Sequence, residues 1–254
     1  GLELKWGNSD AIVELVRKMI AREGIGDILA DGSKKASAKL GGSEYAMHIG
    51  GQEPGMHDSR NDPQLGVHFV AEPAPGKHTI GMTLMYGTIS LCDICSWAPP
   101  AKMSRKSDEI VPALETAMKS VANACYSMLT DGVGGCYYAE MLGVHAWNPV
   151  KFINAAAGWQ KTGDEYMEIG KRIQTLRQLF NIKQGVDPRS FKLPKRMAGE
   201  PPLPDGPLKG VTLKNDEMVK YHWEGFGWNR ETGVPLESTL ESLNIPDLLA
   251  MEVE

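Results

Sequence analysis

The sequence predicts a mainly α, multihelical protein interrupted by one long loop-rich segment. Two windows place apolar residues at three- and four-residue spacing, the stripe that lets a helix bury one face. They are Ile12, Leu15, Val16, Met19 and Ile20, and later Tyr166, Ile169, Ile173, Leu176 and Phe180. Capping residues and glycine stops bound these windows. Between Gly50 and Pro100, by contrast, prolines and glycines recur every few residues and neither the helical nor the strand period holds. Loop and short strand are expected there, and a stretch this long in a globular chain is characteristically functional or disordered. Its aromatic, Met and His content argues against disorder.

Taken in order, Asn8 or Ser9 caps a first helix that stops near Gly24. A second follows Gly26 and ends at Gly41-Gly42, so the two read as an antiparallel hairpin. Helical pattern resumes from Asp108 to about Leu129, where Pro112 fits only the first turn. Another helix starts after Asn148 with Pro149 at its first position and runs to about Gly158. Thr162-Gly163-Asp164-Glu165 has the spacing of a capping box and opens the clearest helix in the chain. Pro188 to Lys214 is proline-rich and reads as an extended surface strap. A helix around Asp216–Glu224, a turn from Gly225 to Pro235 and a short helix from Ser238 to Leu243 complete the order.

The chain has 254 residues, 42% of them apolar and 23% charged, with a formal net charge of -5. That is ample to bury a core and usual for a globular protein. No basic run or stripe suggests a nucleic-acid partner. Its apolar runs fall short of the roughly 18 residues that mark a membrane span. Gly1-Leu2-Glu3-Leu4-Lys5-Trp6 carries no secretion signal, and the missing initiator Met fits a start inside a longer polypeptide.

Four cysteines, Cys92, Cys95, Cys125 and Cys136, are too few for a disulfide framework at this size. They read as thiols or metal ligands in a cytoplasmic protein. Cys92 and Cys95 form a C-x-x-C, but Cys125 and Cys136 are no standard second half of a zinc site. Buried free cysteine is the expected state of Cys92, Cys95 and Cys125. His48, His57, His68, His78, His145 and His222 include no close pair of the metalloprotease kind and read mostly as satisfied surface or core residues. His78 follows the bend Pro75-Gly76-Lys77, which can expose an imidazole and an ammonium together, and an imidazole titrating near neutrality suits proton transfer.

The stretch Asp131-Gly132-Val133-Gly134-Gly135-Cys136 stands apart. Its glycines remove side chains and permit positive φ, so backbone can approach a bulky group while Asp131 and Cys136 flank it. The same pattern also suits a plain turn between helices.

Several segments, in order along the chain, resemble the tungsten-dependent aldehyde ferredoxin oxidoreductases. Gly1–Gly7 with Arg22–Gly32 is similar to that family's helical hairpin, and Asp131–Cys136 to its D-x-x-G-x-C signature. Gly170–Ile173 through Phe180–Ile182, then Leu193–Arg196, resembles its helix and strap, and Gly227–Trp228 to Gly233–Pro235 its end. The resemblance implies C-terminal helical domains of that type, with residues 1–55 closing the middle helical domain and 56–254 forming the C-terminal one. It implies a tungsten or molybdenum bis-pterin cofactor and a 4Fe–4S cluster. Asp131, Gly134, Gly135 and Lys77 would hold the cofactor, Cys136 would ligate the cluster, and His78 would be the active-site histidine.

The activity implied is oxidation of an aldehyde, a small-molecule substrate, to a carboxylic acid, with electrons leaving to ferredoxin or another electron-transfer subunit. The family's other cluster cysteines and pterin-binding sheet belong upstream, so the N-terminal part of the same enzyme is an expected partner and the isolated chain is expected to be inactive. Self-association is compatible with the sequence. The family's Ser- and Arg-containing approach to the histidine is replaced by Glu72-Pro73-Ala74-Pro75-Gly76-Lys77. That departure keeps a benzoyl-CoA-reductase-like subunit as an alternative, beside a non-catalytic fragment or cysteine–metal module.

Overall fold

A computed structural model describes residues 2–80, 91–99, 110–136, 138 and 149–245. Among them are eleven α-helices: α1 (Ser9–Ala21), α2 (Ile25–Leu29), α3 (Ser33–Leu40), α4 (Pro63–Ala71), α5 (Leu91–Ile94), α6 (Leu114–Gly132), α7 (Pro149–Ala157), α8 (Gly163–Lys183), α9 (Lys195–Ala198), α10 (Asn215–Gly225) and α11 (Glu237–Ser242). β-structure among the described residues is confined to isolated bridges such as Ile49 with Gln52. The mainly α expectation holds. No described helix is long and apolar enough to cross a membrane.

Local chemistry explains the ends of these elements. The Asn8 side chain accepts from the Ala11 amide, and Arg22 closes α1 in the left-handed region. The Arg22 guanidinium then reaches Asp27 at 3.0 Å and Asp31 at 2.6 Å, tying the first helix to the next turn. The second predicted helix is two pieces, because Gly32 at φ +85° breaks it between α2 and α3. In α8 the capping box forms in full: the Glu165 amide donates to Thr162 Oγ1, and the Thr162 amide to Glu165 Oε2.

Two expectations need correction. The segment from Gly50 to Pro100 contains a helix, α4, in which every residue is buried. Asp62 caps it and Pro63 opens it, but a helix covered on all sides has no apolar stripe to read. The predicted helix from Asp108 starts instead at Leu114, with Pro112 ahead of it, and runs on through Gly132. Asp108, Asn148 and His145 lie outside the described residues.

Packing centres on α6, which is buried without interruption from Ser120 to Thr130. One face meets α8, another α10, and α4 lies against both α6 and α10. The α6–α8 crossing is close enough that a Cβ on Gly170 would sit 2.1 Å from the Cys125 carbonyl oxygen. Phe69, Tyr126, Tyr166, Met167 and Trp228 fill this core. The buried side of α8 includes Gln174, Thr175 and Gln178, whereas Phe180 from the predicted stripe is exposed. Those polar groups are bonded: Thr175 Oγ1 accepts from Trp228 Nε1, and Gln178 donates to the Gly233 carbonyl. The α1 stripe is not buried within the chain, since only Ala11 of α1 is covered.

Candidate functional site

The glycine-rich motif is the C-terminal end of α6. Asp131 and Gly132 form the last turn of the helix, and Val133 caps it. The Gly134 amide then donates to the Asp131 carbonyl at 3.2 Å, and the Gly135 amide to the Thr130 carbonyl at 2.8 Å. This is the reversal with which helices satisfy their last carbonyls, and it needs Gly134 at φ +71°. Gly135 is also required sterically, because a Cβ there would lie 2.8 Å from Thr130 Cγ2. Outward, the turn is open: a Cβ on Gly132 or Gly134 would meet nothing within 4 Å. Asp131 and Cys136 are both exposed on either side of that opening. Helix termination therefore accounts for the glycines, and the exposed surface they leave bare can accept a flat ligand.

A second chain segment completes the group. Lys77 Nζ stands 3.7 Å from Asp131 Oδ2. His78 follows, its imidazole 5.2 Å from that of His57 between centroids. Space for it exists because Gly55 lacks a side chain; a Cβ there would be 2.9 Å from His78 Nδ1. Burial, with a smaller contribution from His57, holds the His78 pKa below the usual imidazole value. A neutral His78 is thus ready to accept a proton at neutral pH. On the other side of Lys77 opens a cleft of about 640 Å³, walled by Ile49, Pro73, Pro75, Val186 and Phe191.

The segment 72–80 is bound at both ends. Glu72, buried after α4, accepts from Gln174 Nε2 at 3.0 Å and from Arg177 Nη1. Asn181 Nδ2 donates to the Pro73 carbonyl at 2.6 Å. At the far end Asn123 Nδ2 donates to the Ile80 carbonyl at 2.7 Å, and Ser127 Oγ to the same oxygen at 3.5 Å. Asn123, Ser127 and Asp131 are one helical turn apart, so Lys77–Ile80 runs antiparallel along one flank of α6. All six sequence-predicted site residues, Lys77, His78, Asp131, Gly134, Gly135 and Cys136, lie at or beside this end of α6. The Glu72–Gln174–Arg177 cluster was missed; its signal was a carboxylate directly after the unbroken run of α4.

The remaining cysteines are elsewhere. Cys95 and Cys125 are buried as expected, and burial raises both thiol pKa values. Cys92 is only half-buried, contrary to expectation: on the short helix α5 it is Leu91 that takes the buried side. Among the described residues no three His, Cys, Asp or Glu side chains are grouped to hold a metal ion. His68 and His222 are core residues in edge-to-face contact at 5.3 Å, and His222 Nδ1 is 2.6 Å from Ser120 Oγ.

A sequence profile described as aldehyde ferredoxin oxidoreductase, domains 2 and 3, matches residues 1–245. The tungsten-containing aldehyde ferredoxin oxidoreductase of Pyrococcus horikoshii is 31% identical over 253 residues, covering 96% of this chain and 38% of that protein. An aliphatic sulfonate oxidoreductase, WOR-like subunit, of Pyrococcus furiosus is 28% identical over 262 residues, covering 96% of this chain and 36% of that subunit. Among solved structures, the active-site complex of benzoyl coenzyme A reductase with 1,5-dienoyl-CoA shares the fold. Its TM-score is 0.62 at 20% identity, over 97% of this chain and 40% of that one.

Helical architecture and matched length define the chain as the helical portion of an oxidoreductase class. The chain belongs to the aldehyde ferredoxin oxidoreductase family, over the part described as its domains 2 and 3. It spans well under half the length of the relatives it matches.

Proposed function

We propose that this chain forms the helical half of a tungsten or molybdenum bis-pterin oxidoreductase that converts an aldehyde to a carboxylic acid. Water would supply the added oxygen, two protons would be released, and the two electrons would leave through a 4Fe–4S cluster to ferredoxin or a comparable electron-transfer subunit. In this reading residues 1–55 close a middle helical domain and 56–254 form the C-terminal one. The observation that carries it is the end of α6, where Asp131 and Cys136 flank bare glycine backbone and Lys77 and His78 stand alongside. These residues fit half of a cofactor site. Asp131 would accept hydrogen bonds from the ring nitrogens of a pterin, Lys77 would offer a cation to its polar edge, and Cys136 would supply one thiolate to iron.

When bound, the metal–pterin group supplies the two-electron chemistry. The chain's own residues position and protonate. His78, neutral at rest, accepts a proton at an imidazole nitrogen beside the reacting carbon, and His57 is placed to pass it towards solvent. The cleft beside Lys77 holds the apolar body of the substrate. The remaining cluster ligands and the other half of the pterin grip come from the rest of the enzyme.

A second reading is favoured by one feature. The stretch Glu72–Lys77 departs from the family's approach to the histidine and sets a cation beside the cleft, which suits a substrate other than a simple aldehyde. A benzoyl-CoA-reductase-like reaction is the alternative.

Co-expression with the N-terminal portion of a full-length relative tests the proposal. Stoichiometric tungsten and a 4Fe–4S absorption band are expected, and neither with this chain alone. Cys136→Ala is expected to lose cluster iron, and His78→Ala to lower turnover by about 10²–10⁴-fold. Full iron content in Cys136→Ala would remove the ligand assignment, and unchanged turnover in His78→Ala the proton-transfer role. Turnover of aldehydes against thioesters of aromatic acids separates the two substrate readings.

A further inference from the structure

The acidic residue that departs from the family's pattern ahead of His78 is itself deeply buried. Glu72 is 2% exposed, yet it is followed within six residues by the half-exposed Lys77 and His78. A buried carboxylate is tolerated only where donors and opposite charge surround it. Here α8 supplies both, through Gln174 Nε2 at 3.0 Å and Arg177 Nη1, and Arg177 is itself braced by Gln174 Oε1 at 2.7 Å and Met128 Sδ at 3.4 Å. Burial pushes the Glu72 pKa up, and Arg177, Gln174 and Lys77, the last from Glu72's own segment, oppose that shift. The same lysine is 3.7 Å from Asp131. Charges therefore alternate along the cluster: Arg177, Glu72, Lys77, Asp131.

We propose that Glu72 is a positioning residue: pinned to α8 by Gln174 and Arg177, it fixes the segment from Pro73 to Ile80 so that Lys77 meets Asp131 and His78 meets His57. The proposal rests on the reading of Lys77, His78 and Asp131 as site residues for its functional meaning. Its structural content stands apart from that reading. The exposed Lys77–Asp131 pair is too weak to order a loop by itself, because solvent screens it. The buried pair is the stronger tether, because separating it strands a charge in the core. On this account the stretch Glu72–Lys77 is a separate means of fixing the histidine, built from a buried carboxylate and two α8 side chains.

Zero-length carbodiimide cross-linking of the intact chain tests this, with peptide mass spectrometry reading the Lys77–Asp131 amide. The Lys192–Asp216 pair, 2.7 Å apart at the start of α10, serves as an internal control. In Glu72→Gln the Lys77–Asp131 product is expected to fall about tenfold as Arg177 turns towards water, while Lys192–Asp216 is unchanged. The His78 titration followed by NMR is expected to move up towards the ordinary value of about 6.5 as the segment loosens from Gly55 and His57. Should Glu72→Gln fail to fold, Gln174→Met removes one tether only and is expected to lower the product about two- to threefold. Unchanged cross-linking in a folded variant, or an equal fall in both pairs, would overturn the proposal. If His78→Ala left turnover of the reconstituted enzyme intact, the site reading would fail while a positive cross-linking result would still stand.

Discussion

Helices α1 and α4 show opposite relations between pattern and burial. α1 has the apolar spacing expected of a half-buried helix, yet it buries only Ala11 and leaves Ile12, Val16 and Ile20 at 50%, 47% and 79% exposure. α4 has no stripe, yet all of it is buried between α6 and α10. An apolar stripe marks a face suited to burial, without saying what covers it. The absence of one is equally uninformative when every face is covered. The chain spans only part of its relatives' length, and α1 is one place where the intrachain core leaves apolar surface bare.

Mutations that separate the two helices give the sharpest test. Phe69→Ala in α4 removes a side chain with 0% exposure, and a loss of about 3–5 kcal/mol in chemical denaturation is expected. A loss under about 1 kcal/mol would mean that α4 is not buried as described above.

The next effect is in pH. Burial drives the His68 pKa down from 6.5 to about 3, and His222 is likewise well depressed, with His68 adding to burial. Both imidazoles charge more readily in the unfolded chain. For His68 the stabilising contribution is therefore complete above about pH 6.5 and is lost as pH falls towards 3, by about 1.4 kcal/mol per pH unit, and His222 acts in the same direction. Urea titrations from pH 7 to 4 should show this slope, and His68→Leu should make it shallower. An unchanged slope would mean that His68 is accessible to protons in the folded state.

The smallest effect is expected on α1. Ile20→Ser should alter the stability of the isolated chain by no more than about 0.5 kcal/mol. A loss of 2 kcal/mol or more, on the scale of core truncations, would show that α1 is covered within this chain after all.

Much of the fold was legible because caps and stops are local. The Thr162–Glu165 box, Asn8 at the head of α1 and Pro149 at the start of α7 formed where the sequence placed them. What failed depends on packing between distant segments. Gly50–Pro100 hid α4 because its neighbours come from residues 114–132 and 215–225. The apolar spacing turns Phe180 inward, whereas Gln174 and Gln178 take the buried face because Glu72 and the Gly233 carbonyl accept from their amides. At the candidate site the residue types were readable, and their proximity to one another was not. Nothing in the sequence spacing says that Lys77 lies against Asp131. Glu72 was visible only as a departure from the family pattern, since its partners on α8 are about a hundred positions away.

Asn123 and Ser127 grip the Ile80 carbonyl on the same flank of α6 that ends in Asp131, which makes this helix a ruler. Each residue of an α-helix advances 1.5 Å and turns about 100°. A single inserted residue between Ser127 and Asp131 would therefore swing the carboxylate out of line with Lys77 while leaving the Ile80 anchor untouched. Loops elsewhere in the chain have no such coupling between length and direction, whereas the interval from Asn123 to Asp131 cannot change by one residue without losing either the Ile80 anchor or the Lys77 contact.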